Sequence, residues 1–443
     1  MIHVERCVVC VAICALTACI GCGGAISSQT GGSSSQTGGT APSFYAYVTY
    51  IPGGVTGKGT LMTYSEDSGQ LTAIGQAISA PEACGLTVSP NNKFLYVTIC
   101  MIATTPPTLP TTPPTLPYGL IQPYAINPNT GELTAVGNGT IVNTPSSSRG
   151  FITPLVMAPN GNFAYVVNEG SSQQSVVIYS VGSDGSLTAV GNPVAFNNAG
   201  AINVSLSIAP SGNFLYVAYS GLGEVYAYAV DGGSGSLTAV PGSPFALNDG
   251  TIRGPAFQDP VALAVAPSGD YLYAPDGDGS ISMYSVASGT GALTAMNYYY
   301  VNQGNDGGPM VIDSAGTQAY MQCIGSGWIT AYSVNTDTGA LNQTGLTKGS
   351  FDNGTGIALD PSGTYLYALW TQNPSTVGEG EVSTYSVDSS TGTLTYEGPA
   401  SGTSGTWPTG IAFATEYPPQ SQPNSFVAGT FAGGLLEKGG KQK

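Results

Sequence analysis

From residue 44 to about residue 416 the chain alternates apolar and polar residues in short runs, each broken by glycine, proline, asparagine or serine. A period of two is the mark of half-buried strands, and no stretch of the body sustains helical periodicity. The runs fall into four kinds that recur in a fixed order. A small apolar strand (LTVSP, LVMAP, LSIAP, LAVAP) is followed by a Ser-Gly or Asn-Gly turn and a second strand (FLYV, FAYV, YLYA). A third strand comes next (VVIYSV, VYAYAV, ISMYSV, ITAYSV, VSTYSV), then a glycine turn and a fourth strand built on LTAV. Such dipeptide turns supply the positive φ that hairpins need. The alternation within YSV and LYV predicts tyrosine rings packed between neighbouring four-stranded units.

A Gly-x-Leu signature marks the start of each fourth strand, at Leu71, Leu133, Leu187, Leu237, Leu293, Leu341 and Leu394. The interval averages about 54 residues, which suits four short strands and their turns and indicates a propeller or another repeat array. The ends are out of phase with the repeat. The body opens at FYAYVTY (44–50), a second strand, and closes at PTGIAFATEY (408–417), a first strand. The C-terminus therefore supplies the inner strand of the blade that the N-terminus begins, which removes the open sheet edge at the seam. The expectation is an all-β, seven-bladed β-propeller over residues 43–418.

Composition adds a bland, polar surface: only 8% of residues are charged, glycine numbers 63, and 26 tyrosines face 3 tryptophans. A net charge of −16 argues against nucleic acid and anionic membrane surfaces as partners. The N-terminus is more specific. Arg6 precedes the apolar run CVVCVAICALTACIGC, too short to span a bilayer and right for a signal-peptide core. Leu16-Thr17-Ala18-Cys19 resembles a bacterial lipobox, so residues 1–18 read as a lipoprotein signal peptide and Cys19 as the lipidated residue, with Cys22 the weaker acceptor. A plain signal peptide or an uncleaved anchor is the alternative. Residues 19–42, rich in Gly, Ser and Thr, read as a tether whose flexible part would average roughly 25 Å end to end. Residues 419–443 read as a disordered tail. The predicted location is the bacterial cell envelope, outside the cytoplasm.

Beyond the leader, three cysteines remain. Cys84 and Cys100 are equidistant from position 92 and could bridge across a hairpin, but strain in the ladder favours two buried thiols. Cys323 has no evident partner. The only histidine, His3, lies in the leader, so conventional zinc sites, Ser-His-Asp triads and histidine bases are excluded from the mature body. DGDGS (276–280) resembles the start of a calcium loop, but its twelfth position is Ala287, and a hairpin turn is the better reading. No metal or cofactor is expected.

In such a blade the first-to-second and third-to-fourth turns share one face, and here they are short and uniform. The opposite face carries the variable segments, including TTPPTLPTTPPTLP (104–117), NDGTIRGPAFQD and WTQNPSTVGEGE, so function is expected there. One sector of it holds Arg149, Glu169, Asp249, Arg253 and Asp259; another holds Trp328, Trp370 and Trp407 on three successive units. The rings could stack on a sugar or cap a pocket, or pack between blades; the arginines could hold a ligand or pair locally with acids.

The run GNFAYVVNEG, followed by SVVIYSV and GSLTAV, resembles the lactonase-type seven-bladed propellers, which include 6-phosphogluconolactonases and carboxymuconate cyclases, and the YVTN-repeat propellers of cell surfaces. The resemblance covers roughly residues 44–416. It implies a catalytic acid position at Glu169, which follows Asn168 as in the enzymatic members; the matching places in the other units are Cys100, Ser220, Gly277, Ile324, Thr371 and Ile51. Those members also carry a Pro-Arg-His run, whose places are taken here by Ile152, Thr153 and Pro154. Lactone opening needs a base to activate water and a cation to steady the oxyanion. Glu169 could be the first and Arg149 or Arg253 the second, yet the histidine is gone. The leading expectation is therefore a lipid-anchored, monomeric module that binds a small molecule, glycan or protein on its variable face. The alternative is a lactone hydrolase of the 6-phosphogluconolactonase type.

Overall fold

A computed structural model of the chain describes residues 44–52, 59–102, 118–142, 151–169, 174–196, 204–219, 223–247, 260–277, 279–300, 307–372, 380–400 and 406–415. The leader with Cys19, the tether, the proline-rich insertion and the tail lie outside these residues. All the regular elements described are strands, and they form seven antiparallel sheets of the predicted repeat. In chain order, the innermost strands of the first six blades begin at residues 83, 151, 204, 264, 310 and 353. The seventh blade is built from both ends of the body. Thr406–Thr415 lies innermost and pairs antiparallel with Phe44–Pro52, which pairs in turn with Thr60–Asp67 and Gln70–Ser79. The ring is closed by hydrogen bonds between chain ends, as the phase of the repeat predicts.

Tyrosines do fill the gaps between blades. The largest fully buried side chains are Trp370 and eleven tyrosines, among them Tyr47, Tyr96, Tyr165, Tyr216, Tyr273 and Tyr320. Each of the six core clusters draws residues from adjacent blades, so burial of apolar surface binds blade to blade.

The glycine of the Gly-x-Leu motif has a reason beyond its own turn. Phe163, in the second blade, lies flat against Gly235 of the third, and a Cβ on Gly235 would come within 2.4 Å of that ring. The same stacking joins Tyr45 to Gly131, Phe94 to Gly185, Phe214 to Gly291, Tyr271 to Gly339 and Tyr365 to Gly69. Two residues after five of these six rings a tyrosine hydroxyl donates to the carbonyl of the same glycine: Tyr47 to Gly131 at 3.1 Å, Tyr96 to Gly185 at 3.1 Å, Tyr165 to Gly235 at 3.2 Å, Tyr216 to Gly291 at 3.2 Å and Tyr273 to Gly339 at 2.8 Å. Burial pushes the Tyr165 hydroxyl up to about 12, so these hydroxyls stay protonated donors at any ordinary pH. Two joints depart from the pattern: the hydroxyl of Tyr367, between the sixth and seventh blades, donates to Glu66 instead. Between the fifth and sixth blades Gln318 replaces the ring against Gly392, and neither its buried Oε1 nor the Tyr320 hydroxyl has a hydrogen-bond partner among the described residues.

One expectation is corrected. Cys84 and Cys100 form a disulfide with Cα atoms 5.7 Å apart. In a regular ladder the bridge would be strained, but the pairing here steps from Ala83↔Ile99 to Gly85↔Thr98, a bulge that leaves Cys84 out of register. The extra residue frees its Cβ to turn toward Cys100. Cys323 is buried and is not in a disulfide.

Candidate functional site

Glu169 ends the strand Phe163–Glu169, and its backbone sits between Gln174 on one side and Phe151 on the other. That places it at the loop-face end of the second blade. Its side chain, and the residues Arg149, Asp249, Arg253 and Asp259, lie outside the described part, so whether they meet Glu169 lies outside it too. What the structure does describe is the segment opposite. The innermost strand of this blade is split into Phe151–Ile152 and Val156–Met157, with Thr153, Pro154 and Leu155 between the two pieces.

Each residue that stands in the place of the family's Pro-Arg-His run is buried and engaged. Ile152 is packed in the core between the first and second blades. Thr153 exchanges two bonds with Val167, giving its N–H to the Val167 carbonyl at 3.0 Å and accepting the Val167 N–H on Oγ1 at 2.9 Å. Pro154 presses on Gly85, where a Cβ would approach the proline ring to 2.5 Å. The bridged Cys100 reaches this segment as well, its Sγ 2.9 Å from the Ile152 carbonyl oxygen. None of the three side chains ionises at ordinary pH, so none can serve as an acid, a base or a cation.

A cavity of about 800 Å³ follows the ring axis. It runs from Thr153 and Pro154 down the innermost strands to the turn face, where Pro90, Pro159, Pro210, Pro267 and Pro361 rim it with Ser314. Leu86, Leu155, Leu206, Val265, Ile312 and Phe413 make its walls, and Asp360 is the one charged lining residue among those described. This size suits a sugar-sized molecule. With no cation among the described lining residues, it does not suit a phosphate. The described lining thus reaches the uniform turn face.

The three tryptophans do not form one platform. Trp370 is 0% exposed, inside the core, and its indole lies against Gly349, so it packs and offers no open ring face. Trp328 is half-buried, with the Lys348 ammonium 5.4 Å from its ring centre and that ammonium held by Asp352 at 3.0 Å. Trp407 is half-buried on the closing strand opposite Ile51, and its buried indole N–H has no partner among the described residues. At the two ends of DGDGS the Asp276 amide donates to the Ser280 carbonyl and the Gly279 amide to the Asp276 carbonyl, the bonds of a turn. Among the described residues no group of acids, histidines or cysteines could hold a metal ion. Sequence reasoning missed the contribution of Thr153 and Pro154 to the channel and the disulfide beside them; the Cys100 match to the Glu169 column was the available signal.

Known proteins agree with this architecture. Residues 112–416 match the family described as Lactonase, 7-bladed beta-propeller. No match is found among the curated proteins. Among solved structures, a candidate 6-phosphogluconolactonase from Bacteroides uniformis superposes with a TM-score of 0.65 at 15% identity, over 84% of this chain and 100% of its own. The periplasmic gluconolactonase of Pseudomonas aeruginosa gives 0.65 at 15% identity, over 84% and 99%. A protein from Lactobacillus plantarum gives 0.64 at 16% identity, over 84% and 99%. At such identities the likeness fixes the fold and leaves the activity open. The chain belongs to the seven-bladed β-propeller lactonase family.

Proposed function

We propose that this protein is an extracytoplasmic, lipid-anchored member of the family that binds its ligand or partner on the loop face and does not hydrolyse it. The observation that carries this reading is the buried, fully engaged Ile152-Thr153-Pro154 segment where the enzymatic members have Pro-Arg-His. That segment offers Glu169 neither an acid–base group nor a cation, the partners that lactone opening requires. The shortage of cations along the described channel supports a neutral ligand, such as a sugar, a sugar lactone or a glycan end, over a phosphorylated one. A closed ring has no edge to extend, which supports a monomer.

Location outside the cytoplasm is supported by the leader and by the Cys84–Cys100 disulfide, a bond that persists in oxidising compartments. The structural neighbour described as a periplasmic gluconolactonase supports it further. The anchor is tested by palmitate labelling in a bacterial host: label lost in Cys19→Ala supports it at Cys19, label retained there but lost in Cys22→Ala moves it to Cys22, and label never incorporated contradicts it. Binding is tested by calorimetric titration with glucono-1,5-lactone and neutral oligosaccharides. The expected result is a saturable heat that weakens at least about tenfold in Glu169→Gln, equivalent to about 1.4 kcal/mol. A second reading, a lactone hydrolase using Glu169 as base and Arg149 or Arg253 at the oxyanion, is favoured by the Asn168-Glu169 match alone.

A further inference from the structure

The seam that closes the ring carries a charge pattern found in no other blade. In six blades the third strand ends on an aliphatic residue two places after its tyrosine: Ile126, Val181, Val230, Val286, Val334 and Val387. In the closing blade that place is Glu66, two residues after Tyr64. Glu66 is 1% exposed and lies at the joint between the closing blade and the sixth. Its Oε1 accepts the Gly69 N–H at 2.7 Å and the Tyr367 hydroxyl of the sixth blade at 3.3 Å. At five other joints the corresponding tyrosine donates to a turn carbonyl; here it donates to a carboxyl.

A second buried acid faces Glu66 across the seam. Asp360, 4% exposed, follows the innermost strand of the sixth blade and is held by the Ser362 hydroxyl and by the Tyr365 amide at 2.9 Å. The titratable groups around Glu66 are Asp67 on its own turn and Asp360, Tyr365 and Tyr367 from the sixth blade. None is a cation, and the one ion pair among the described residues, Lys348–Asp352, involves neither acid. Two buried carboxylates with no cation between them cannot both ionise cheaply.

We propose that Glu66 is a proton-operated latch on the closing seam: the protonated carboxyl holds the sixth and seventh blades together, and its ionisation beside Asp360 loosens them. Burial pushes Glu66 above the usual carboxylate range and Asp360 adds to this, outweighing the Gly69 and Tyr367 bonds that lower it. Burial raises Asp360 as well. A carboxyl whose folded pKa exceeds its unfolded value near 4.3 keeps its proton better in the closed ring. The seam's extra stability is therefore complete below that unfolded value and disappears as pH rises through the folded one. The device responds to acidification by tightening.

The test is amide hydrogen exchange of the purified protein between pH 4.5 and 7.5, corrected for the intrinsic pH dependence of exchange. In the parent, peptides from strands 60–67 and 365–371 should lose protection severalfold across that range, as a buried carboxyl with a raised pKa requires. Peptides of the third blade, whose matching residue is Val230, should change less, reporting only the relief of overall repulsion. The excess response at the joint should vanish in Glu66→Gln and in Glu66→Val, which restores the residue of the other blades. Should Glu66→Gln not fold, Glu66→Val and the parent's own seam-to-third-blade contrast still decide. A flat response at the parent's seam, an equal response in both blades, or an unchanged response in either variant overturns the proposal.

Discussion

Phe163 and Gly235 are 72 positions apart and belong to different blades, yet neither would be what it is without the other. Gly235 has φ +74°, and a methyl group there would both strain the backbone and strike the ring. Gly235→Ala should therefore lose about 2–4 kcal/mol in equilibrium denaturation, from left-handed backbone strain and overpacking together. A loss within 0.5 kcal/mol would mean that the ring contact is not specific. The reverse change is expected at the irregular joint. Gln318→Phe should gain about 1–3 kcal/mol, because it removes a buried amide oxygen left without a bond and restores the ring on Gly392. At this scale the sequence announced a turn at each Gly-x-Leu but not the partner that fixes the glycine. Periodicity reports which face of a strand is buried, and says nothing of what buries it one blade away. Glu66 was legible in principle, as the one acid in a column of aliphatic residues, but only once the strands are aligned by their tyrosines.

Among the elements, the innermost strand of the second blade is the one that departs from its repeat. Pro154 cannot donate to a ladder and divides that strand in two, and the backbone is then pinned by Thr153, Gly85 and the bridged Cys100. The disulfide closes a loop with a sequence separation of 16, for which chain entropy gives about 3 kcal/mol. Reduction, or Cys84→Ser with Cys100→Ser, should therefore lower the thermal midpoint by several degrees. An unchanged midpoint would show that the bridge does not hold the native fold. The strands themselves were legible from the alternation, including the closing strand at 406–415. The bridge was not, because symmetric spacing about a turn cannot show that a bulge at Cys84 relieves the ladder strain. Trp370 likewise read as a loop-face ring, and packing against Gly349 accounts for its burial.

At the scale of the molecule, seven blades enclose an axial channel whose described lining holds one charge, Asp360, within a chain of net charge −16. Both the latch and relief of overall repulsion predict that the protein is more stable near pH 5 than near pH 7.5. The latch's share is the part that Glu66→Gln removes, read as a shallower slope of thermal midpoint against pH; an identical slope would assign the whole effect to net charge. Fold and closure were legible because repeats multiply a weak signal sevenfold. The candidate site was legible only as a position, Glu169, because catalysis depends on what surrounds it, and Thr153 and Pro154 acquire meaning only once they are seen buried and engaged. That surrounding is the core of the functional account, and one assay addresses it directly. Hydrolysis of glucono-1,5-lactone and 6-phosphogluconolactone should be followed for the purified protein and for Glu169→Gln. The account predicts that neither exceeds the buffer rate; turnover by the parent that disappears in Glu169→Gln would contradict it and make this chain an enzyme without the family's histidine.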